Sequence, residues 1–217
     1  VAEDIMKKST TGNLQSITLP EPAFIRCGTV FEALKRRRTS RSIKARKIPL
    51  QLLSDILWAA QGVNRRQGPF GGPGRTAGSA SNSQEICVYV AREEGVYLYD
   101  PGFHRLTPVA TGDIRTLAIG PGQRAGAKAP VRFIYVVDID RFKNAGYQEP
   151  GLYDPEIQKS YYFVDTGLIA QNVYLAAASL GLAAWFHNCS KAALAKALKL
   201  RPHQHALFGQ TMGYADD

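Results

Sequence analysis

The chain is poor in cysteine. Cys27, Cys87 and Cys189 are the only three in 217 residues, odd in number, widely spaced and without a C-x-x-C pair. That excludes a disulfide framework and gives no thiolate zinc site, while leaving the compartment open. Long apolar runs are also missing: the longest, within 161–188, is interrupted by Asp165, Gln171 and Asn172, so no segment is expected to cross a bilayer. There is no internal repeat, low-complexity tract, Walker motif or G-x-S-x-G elbow. The first ten residues, VAEDIMKKST, lack a charged stretch leading into an apolar core. A soluble chain is expected, cytoplasmic or exported, from which any signal peptide is gone or never existed.

What is present begins with charge. Lys and Arg number 27 against 18 Asp and Glu, a net +9 at pH 7. In a chain this size that points to an anionic ligand, nucleic acid or an anionic surface. Hydrophobic content of 45% and charged content of 21% are ordinary for one α/β or α+β domain.

Eight of the basic residues fall in KRRRTSRSIKARK, 35–47, which holds no acid and no aromatic. Three readings stay open. A nucleic-acid patch would ordinarily interleave exposed aromatics. Cations at a helix C-terminus are favourable on dipole grounds and need no ligand. In a small-molecule phosphate site, Arg37, Arg38 and Arg41 would surround the hydroxyls of Thr39 and Ser40. Each charge-assisted bond there is worth about 1.5–3 kcal/mol.

The stretch 161–188, YYFVDTGLIAQNVYLAAASLGLAAWFHN, reads as one buried helix, apolar nearly all round, with Asp165 and Thr166 supplying its N-cap. Such a helix must be enclosed on both sides by other helices or a second subunit. An obligate dimer is therefore expected, with Ala170, Ala176, Ala177, Ala178 and Ser179 allowing close helix approach.

The rest of the chain orders itself around that stretch. Residues 1–28 read as an arm over the surface or over a partner, and 29–217 as a single domain. Thr29 and Glu32 have capping-box spacing at the start of a helix. A second helix has Pro49 at its first position and Gly62 at its end. Residues 62–84 read as a Gly- and Pro-rich loop, 85–91, 96–100 and 105–109 as an antiparallel meander, and 131–138 as a central strand. Residues 141–160 read as an irregular lid; Ser190 caps a further helix, and 207–215 form a last strand. This is not a regular βαβ alternation, so an α+β fold with an antiparallel or mixed sheet wrapped by helices is expected.

Two polar groups complete the candidate chemistry. Ser79, Ser81, Asn82, Ser83 and Gln84 precede an apolar strand, and a planar heterocycle with carbonyl and ring-nitrogen acceptors needs such amides. His187 and Cys189 flank Asn188, where core packing and site lining are both open.

In order, RRRTSRSI, PLQLLSDILWAAQGVN, RTAGSASNSQEICVYV, GLIAQNVYLAAASLGLAAWF and GQTMGYA resemble the FMN-dependent nitroreductase family, in the branch similar to SagB-type dehydrogenases. The resemblance spans roughly 31–214. It implies a homodimer with the long helix at its centre and FMN at the interface. By that resemblance Arg37, Arg38, Thr39 and Arg41 hold the phosphate and ribityl chain. Asn82, with Ser81 and Gln84, meets the isoalloxazine from the neighbouring subunit, and backbone amides near Asn188 and Cys189 approach flavin N5. The activity implied is hydride transfer from NADH or NADPH through N5 to a nitroaromatic or quinone, in a ping-pong scheme. The alternative is SagB-like oxidation with oxygen as acceptor. No metal, nucleic acid or membrane partner is implied. Two departures stand out: Asn188 and Cys189 replace the family's acidic residue and glycine beside N5, and the family's basic C-terminal segment has no counterpart before Asp217. Arg36 or the arm is expected to stand in for it.

Overall fold

Every residue of 86–91 and of 131–138 is buried, the outcome expected of two strands without a solvent face. The rest of the fold is laid on either side of them. The computed structural model describes residues 12–24, 28–123 and 129–216, so Cys27 and half of the arm fall outside the described residues. Along the chain the elements run β1 (Ile17–Thr18), α1 (Val30–Arg36), α2 (Leu50–Gln61), β2 (Val63–Arg65), β3 (Gly74–Arg75), β4 (Ile86–Ala91), β5 (Gly95–Asp100) and β6 (Arg105–Thr111). They continue β7 (Val131–Asp138), α3 (Pro155–Ser179), β8 (Ala183–His187), α4 (Lys191–Ala197) and β9 (Gln204–Gly213).

Seven strands form one sheet in the order β1-β6-β5-β4-β7-β9-β8, each neighbouring pair antiparallel. One face carries Val88, Phe133 and Tyr135 against α2 and α3, through Leu53, Ile56, Leu57, Ile169 and Val173. The other carries Tyr89, Ile134 and Val136 against Ala118 and, from α4 and its end, Leu194 and Leu198. This is the α+β arrangement of a sheet between helical layers.

Local signals explain the short helices. The Thr29 hydroxyl accepts the Glu32 N–H while the Glu32 carboxylate accepts the Thr29 N–H, closing the capping box that starts α1. Pro49 stands one place earlier than its spacing suggests, as the N-cap of α2, and the Gly62 N–H closes that helix on the Trp58 carbonyl.

The stretch 161–188 is not one helix. α3 begins ten residues before Asp165, where the Asp154 side chain accepts the N–H groups of Glu156 and Ile157. It ends at Ser179, the chain turns through Gly181 at φ +69°, and 183–187 leave as a strand. An apolar run without a polar face is as much the pattern of a buried strand as of a buried helix, and a glycine with positive φ makes the division. Asp165 is no cap; it is buried in mid-helix and accepts the Ala80 N–H at 3.0 Å. Ala170 and Ala177 close against the chain's own core rather than outward.

Two expected loops hold more structure than their composition suggests. Within 62–84, β2 and β3 pair as a small separate sheet. Within 141–160, two 3-10 turns close round buried Phe142, Ala145 and Leu152 before α3 begins. Phe70 stacks on Tyr147 at 5.3 Å and joins the two segments. Ser190 precedes α4, but its hydroxyl donates to Ile119 O instead of capping.

Candidate functional site

The basic segment leaves α1 as extended chain and is laid along the outer edge of the sheet. Thr39 forms a parallel bridge with Ala184, and the Ser40 N–H donates to Ala184 O at 3.0 Å. Further on, the Lys44 N–H meets Tyr214 O, and the Asp216 N–H meets Ser42 O. Tyr174 of α3 ties this edge to the helix: its hydroxyl lies 3.1 Å from Thr39 Oγ1 and accepts the Phe186 N–H at 2.8 Å.

Three of the arginines rest on aromatic rings: Arg37 on Tyr174, Arg41 on Trp185 and Arg46 on Tyr214. Lys35, Arg36, Arg37, Arg38 and Ser40 line a groove of about 510 Å³ floored by small residues of α3 and β8. Arg41 is not among its walls. Arg41 is carried over Trp185 of β8, and Arg37 over Tyr174 of α3.

Asn188 stands at the other end of β8, four residues past Ala184, or about 13 Å at the rise of a strand. It is exposed, whereas Cys189 is buried, with burial pushing its thiol up to about 11. That thiol is no nucleophile at neutral pH. His187 is also turned inward. Its Nδ1 lies 2.9 Å from Asn188 O and its Nε2 2.7 Å from Thr211 Oγ1, and burial holds its pKa down at about 4. The neutral ring donates from Nδ1 and fixes the backbone that presents Asn188.

The polar turn is built under backbone strain. Ser81, Asn82 and Gln84 all have φ between 49° and 54°, in the left-handed region that non-glycine residues seldom adopt. Neighbours hold them there. The Gln84 N–H donates to Ser79 Oγ, its side-chain amide to Pro73 O and Asn82 Oδ1, and Ser81 Oγ to Glu149. Arg141 donates to Gln84 O at 2.8 Å. Beneath the turn Glu85 is 0% exposed, receives the Ser83 hydroxyl at 2.7 Å and lies beside Asp165. Burial, and then the Asp165 charge, push the Glu85 carboxyl up to about 8, so it carries a proton at neutral pH.

Thus Arg37, Arg38 and Thr39 come together, with Arg41 nearby over Trp185, and Asn188 and Cys189 directly follow β8. Ser81, Asn82 and Gln84 do not join them within one chain. Their turn sits by Asp165, nine residues along α3 from Tyr174 and about 13 Å at helical rise. Sequence reasoning missed Tyr174, Glu85, Arg75 and Arg141. The first carried a signal, a tyrosine hydroxyl in the most apolar part of the helix; the importance of the others depends on neighbours far along the chain. Among the described residues no group of three or more His, Cys, Asp or Glu is arranged for a metal, and no helix is long and apolar enough to cross a membrane.

The chain matches the Nitroreductase family over residues 34–214. A nitroreductase-named protein of Methanocaldococcus jannaschii is 31% identical over 179 residues, 79% of this chain and 82% of that protein. Among solved structures, one titled as a nitroreductase from Ralstonia eutropha JMP134 has a TM-score of 0.80 at 31% identity, covering 94% of this chain and 91% of that one. A chain of the E. coli microcin synthetase McbBCD complex scores 0.68 at 20% identity, covering 95% of this chain and 80% of its own, and shares the fold. Sequence and fold agree over most of the length, and the chain belongs to the nitroreductase family.

Proposed function

We propose that the chain is an FMN-dependent oxidoreductase moving a hydride from NADH or NADPH to an electron-poor acceptor, a nitroaromatic or a quinone, as a homodimer with two shared sites. The observation that carries this reading is β8 used as a spacer: cations are fixed at its Ala184 end and Asn188 is presented at the other, about 13 Å away. A cofactor with a phosphate at one end and a planar ring at the other needs that separation.

The residues present fit FMN. The groove has four cationic side chains and a hydroxyl, an excess of donors that suits a phosphate dianion, and its small-residue floor leaves room for an organic chain. Arg37, Arg38, Thr39 and Arg41 are assigned to the phosphate and ribityl chain. The backbone at Asn188 and Cys189 takes the ring edge, and Ser81, Asn82 and Gln84 of the partner subunit take its acceptor groups. FMN supplies the two-electron hydride chemistry when bound. The chain's part is position and electrostatics, consistent with a buried Cys189 thiol and a neutral His187. Tyr174 holds Thr39 and the ring beneath Arg37 in place before any ligand arrives.

The purified protein should be yellow, release FMN on denaturation and bleach with NADH or NADPH under anaerobic conditions. Steady-state double-reciprocal lines with a quinone should be parallel. Arg41→Ala should weaken FMN more than riboflavin; equal losses would remove this arginine from the phosphate end. If the protein is colourless and added FMN shifts neither absorbance nor Tm, the reading fails. The alternative reading in the same fold is SagB-like oxidation with oxygen as acceptor. Oxygen uptake without added quinone or nitroaromatic, driven by a substrate other than a nicotinamide, would favour it.

A further inference from the structure

A cleft of about 520 Å³ opens near the polar turn, outside both halves of the site described above. Its walls include three guanidinium groups, Arg75, Arg105 and Arg141, with Leu98, Tyr99 and Asp100. Arg75 is delivered by β3, one of the two strands inside the Gly-rich stretch. Its side chain makes no hydrogen bond or ion pair with a described residue, and its Nε is enclosed without an acceptor. Burial, reinforced by the Arg141 charge, lowers its pKa to about 10.

The neighbouring cations are also short of anions. Arg105 Nε is buried without a hydrogen bond, its nearest carboxylate oxygen, Asp100 Oδ2, standing 3.4 Å away. The other Asp100 oxygen is occupied by the N–H groups of Gly102 and Phe103. Arg141 gives one N–H to Gln84 O and reaches Asp138 only at 4.0 Å, and Asp138 is already held by Arg201 at 2.6 Å. Three cations therefore share the cleft with one carboxylate.

A guanidinium nitrogen enclosed without an acceptor is costly, and half-buried Arg75 carries one at the cleft wall. The cost is relieved when an acceptor-rich anion is seated beside it. We propose that this cleft is a second ligand site, taking the phosphate group of a small phosphomonoester, with Arg75 as its enclosed anchor and Arg105 and Arg141 at its flanks. A dianion with three terminal oxygens can serve three guanidinium groups, whereas a lone carboxylate leaves one unserved. The volume exceeds what phosphate alone fills and lies within the usual range for small organic ligands, about 300–1,000 Å³. Leu98 and Tyr99 offer the apolar wall for the organic part.

The test titrates the full-length protein, in saturating FMN, with glycerol 3-phosphate, inorganic phosphate, acetate and glycerol, followed by calorimetry and thermal shift. Glycerol 3-phosphate should bind and raise Tm, inorganic phosphate more weakly, acetate at least about tenfold more weakly and glycerol not at all. Arg75→Gln should weaken glycerol 3-phosphate by about tenfold or more, while Arg37→Gln, in the basic groove, should leave it unchanged. No binding, acetate binding as tightly, or unchanged affinity in Arg75→Gln would overturn the proposal. So would loss in Arg37→Gln alone, which would give the phosphate to the groove. If Arg75→Gln does not fold, Arg105→Gln, whose side chain is partly exposed, carries the test, and unchanged affinity there overturns it. The cleft shares no residue with the flavin assignment, so either can fail without the other.

Discussion

Glu85 closes the polar turn with its carboxyl enclosed beside a second acid, Asp165 of α3, whose own pKa burial also raises. Two acids in one dry site cannot both ionise cheaply, so the pair keeps a proton. The pH consequence has a definite sign. Glu85 holds its proton up to about pH 8 in the fold but only to about 4.5 when unfolded. Its contribution is therefore full below pH 4.5 and is lost as pH rises toward 8, at about 1.4 kcal/mol per pH unit for one proton. Glu85→Gln keeps a donor beside Asp165 and removes the ionisation. The wild-type Tm should fall between pH 5 and 8 and the variant's should fall much less; matching slopes would show that the pair is not the source. At this scale the sequence was legible wherever the physics is local. Thr29 and Glu32 are three residues apart and needed only each other. Glu85 and Arg75 were opaque, because what makes them unusual is the absence of water, which α3 and β3 bring about from far along the chain.

α3 and β8 are joined by one hydroxyl. Tyr174 accepts the Phe186 N–H and meets Thr39, so Tyr174→Phe leaves a strand-edge donor unsatisfied and frees the basic segment on one side. The cost should be about 1–2 kcal/mol. At about 2–4 °C per kcal/mol for a chain of this length, Tm should fall by several degrees. Affinity for FMN should fall with it, because Arg37 rests on the same ring. Unchanged flavin affinity would show that the segment is positioned without Tyr174. The elements themselves were read with uneven success, for a physical reason. The strands at 86–91 and 131–138 are short apolar runs rich in β-branched and aromatic residues, and the helix after Thr29 carries its own cap. The stretch 161–188 carries an apolar run without period. Only the conformation at Gly181 and the pairing of Ala183–His187 with β9 settle where helix stops and strand begins. The proposed split site comes from resemblance only. No spacing along the chain says that the Asn82 turn and Arg37 meet α3 nine residues apart, at Asp165 and Tyr174.

For the molecule as a whole, the apolar surface that the chain leaves uncovered bears on the proposed dimer. Phe31 of α1 is 82% exposed, and on α3 Val164 is 60% and Leu168 46% exposed, while Ala177 on the same helix is 1% exposed inside the core. The two helices pack on each other, so these side chains lie on neighbouring elements. Leaving even about 400 Å² of such surface in water costs on the order of 10 kcal/mol at about 25 cal/mol per Å², comparable with the stability of a whole domain. A second copy covering α1 and the outer face of α3 would remove that cost. The proposed shared site further requires that this copy bring its own polar turn toward this chain's β8. The choice of variant follows from burial. Ala177→Glu would put a carboxylate into the chain's own core and unfold the monomer, so it could not report on an interface. Leu168→Glu places the charge where a single chain already meets water and should leave the monomer folded. Sedimentation should then show wild type as a dimer and Leu168→Glu shifted to monomer, with its flavin-to-protein absorbance ratio falling in step. A variant that becomes monomeric yet keeps its full flavin would place all the ring contacts in one chain and rule out the shared site.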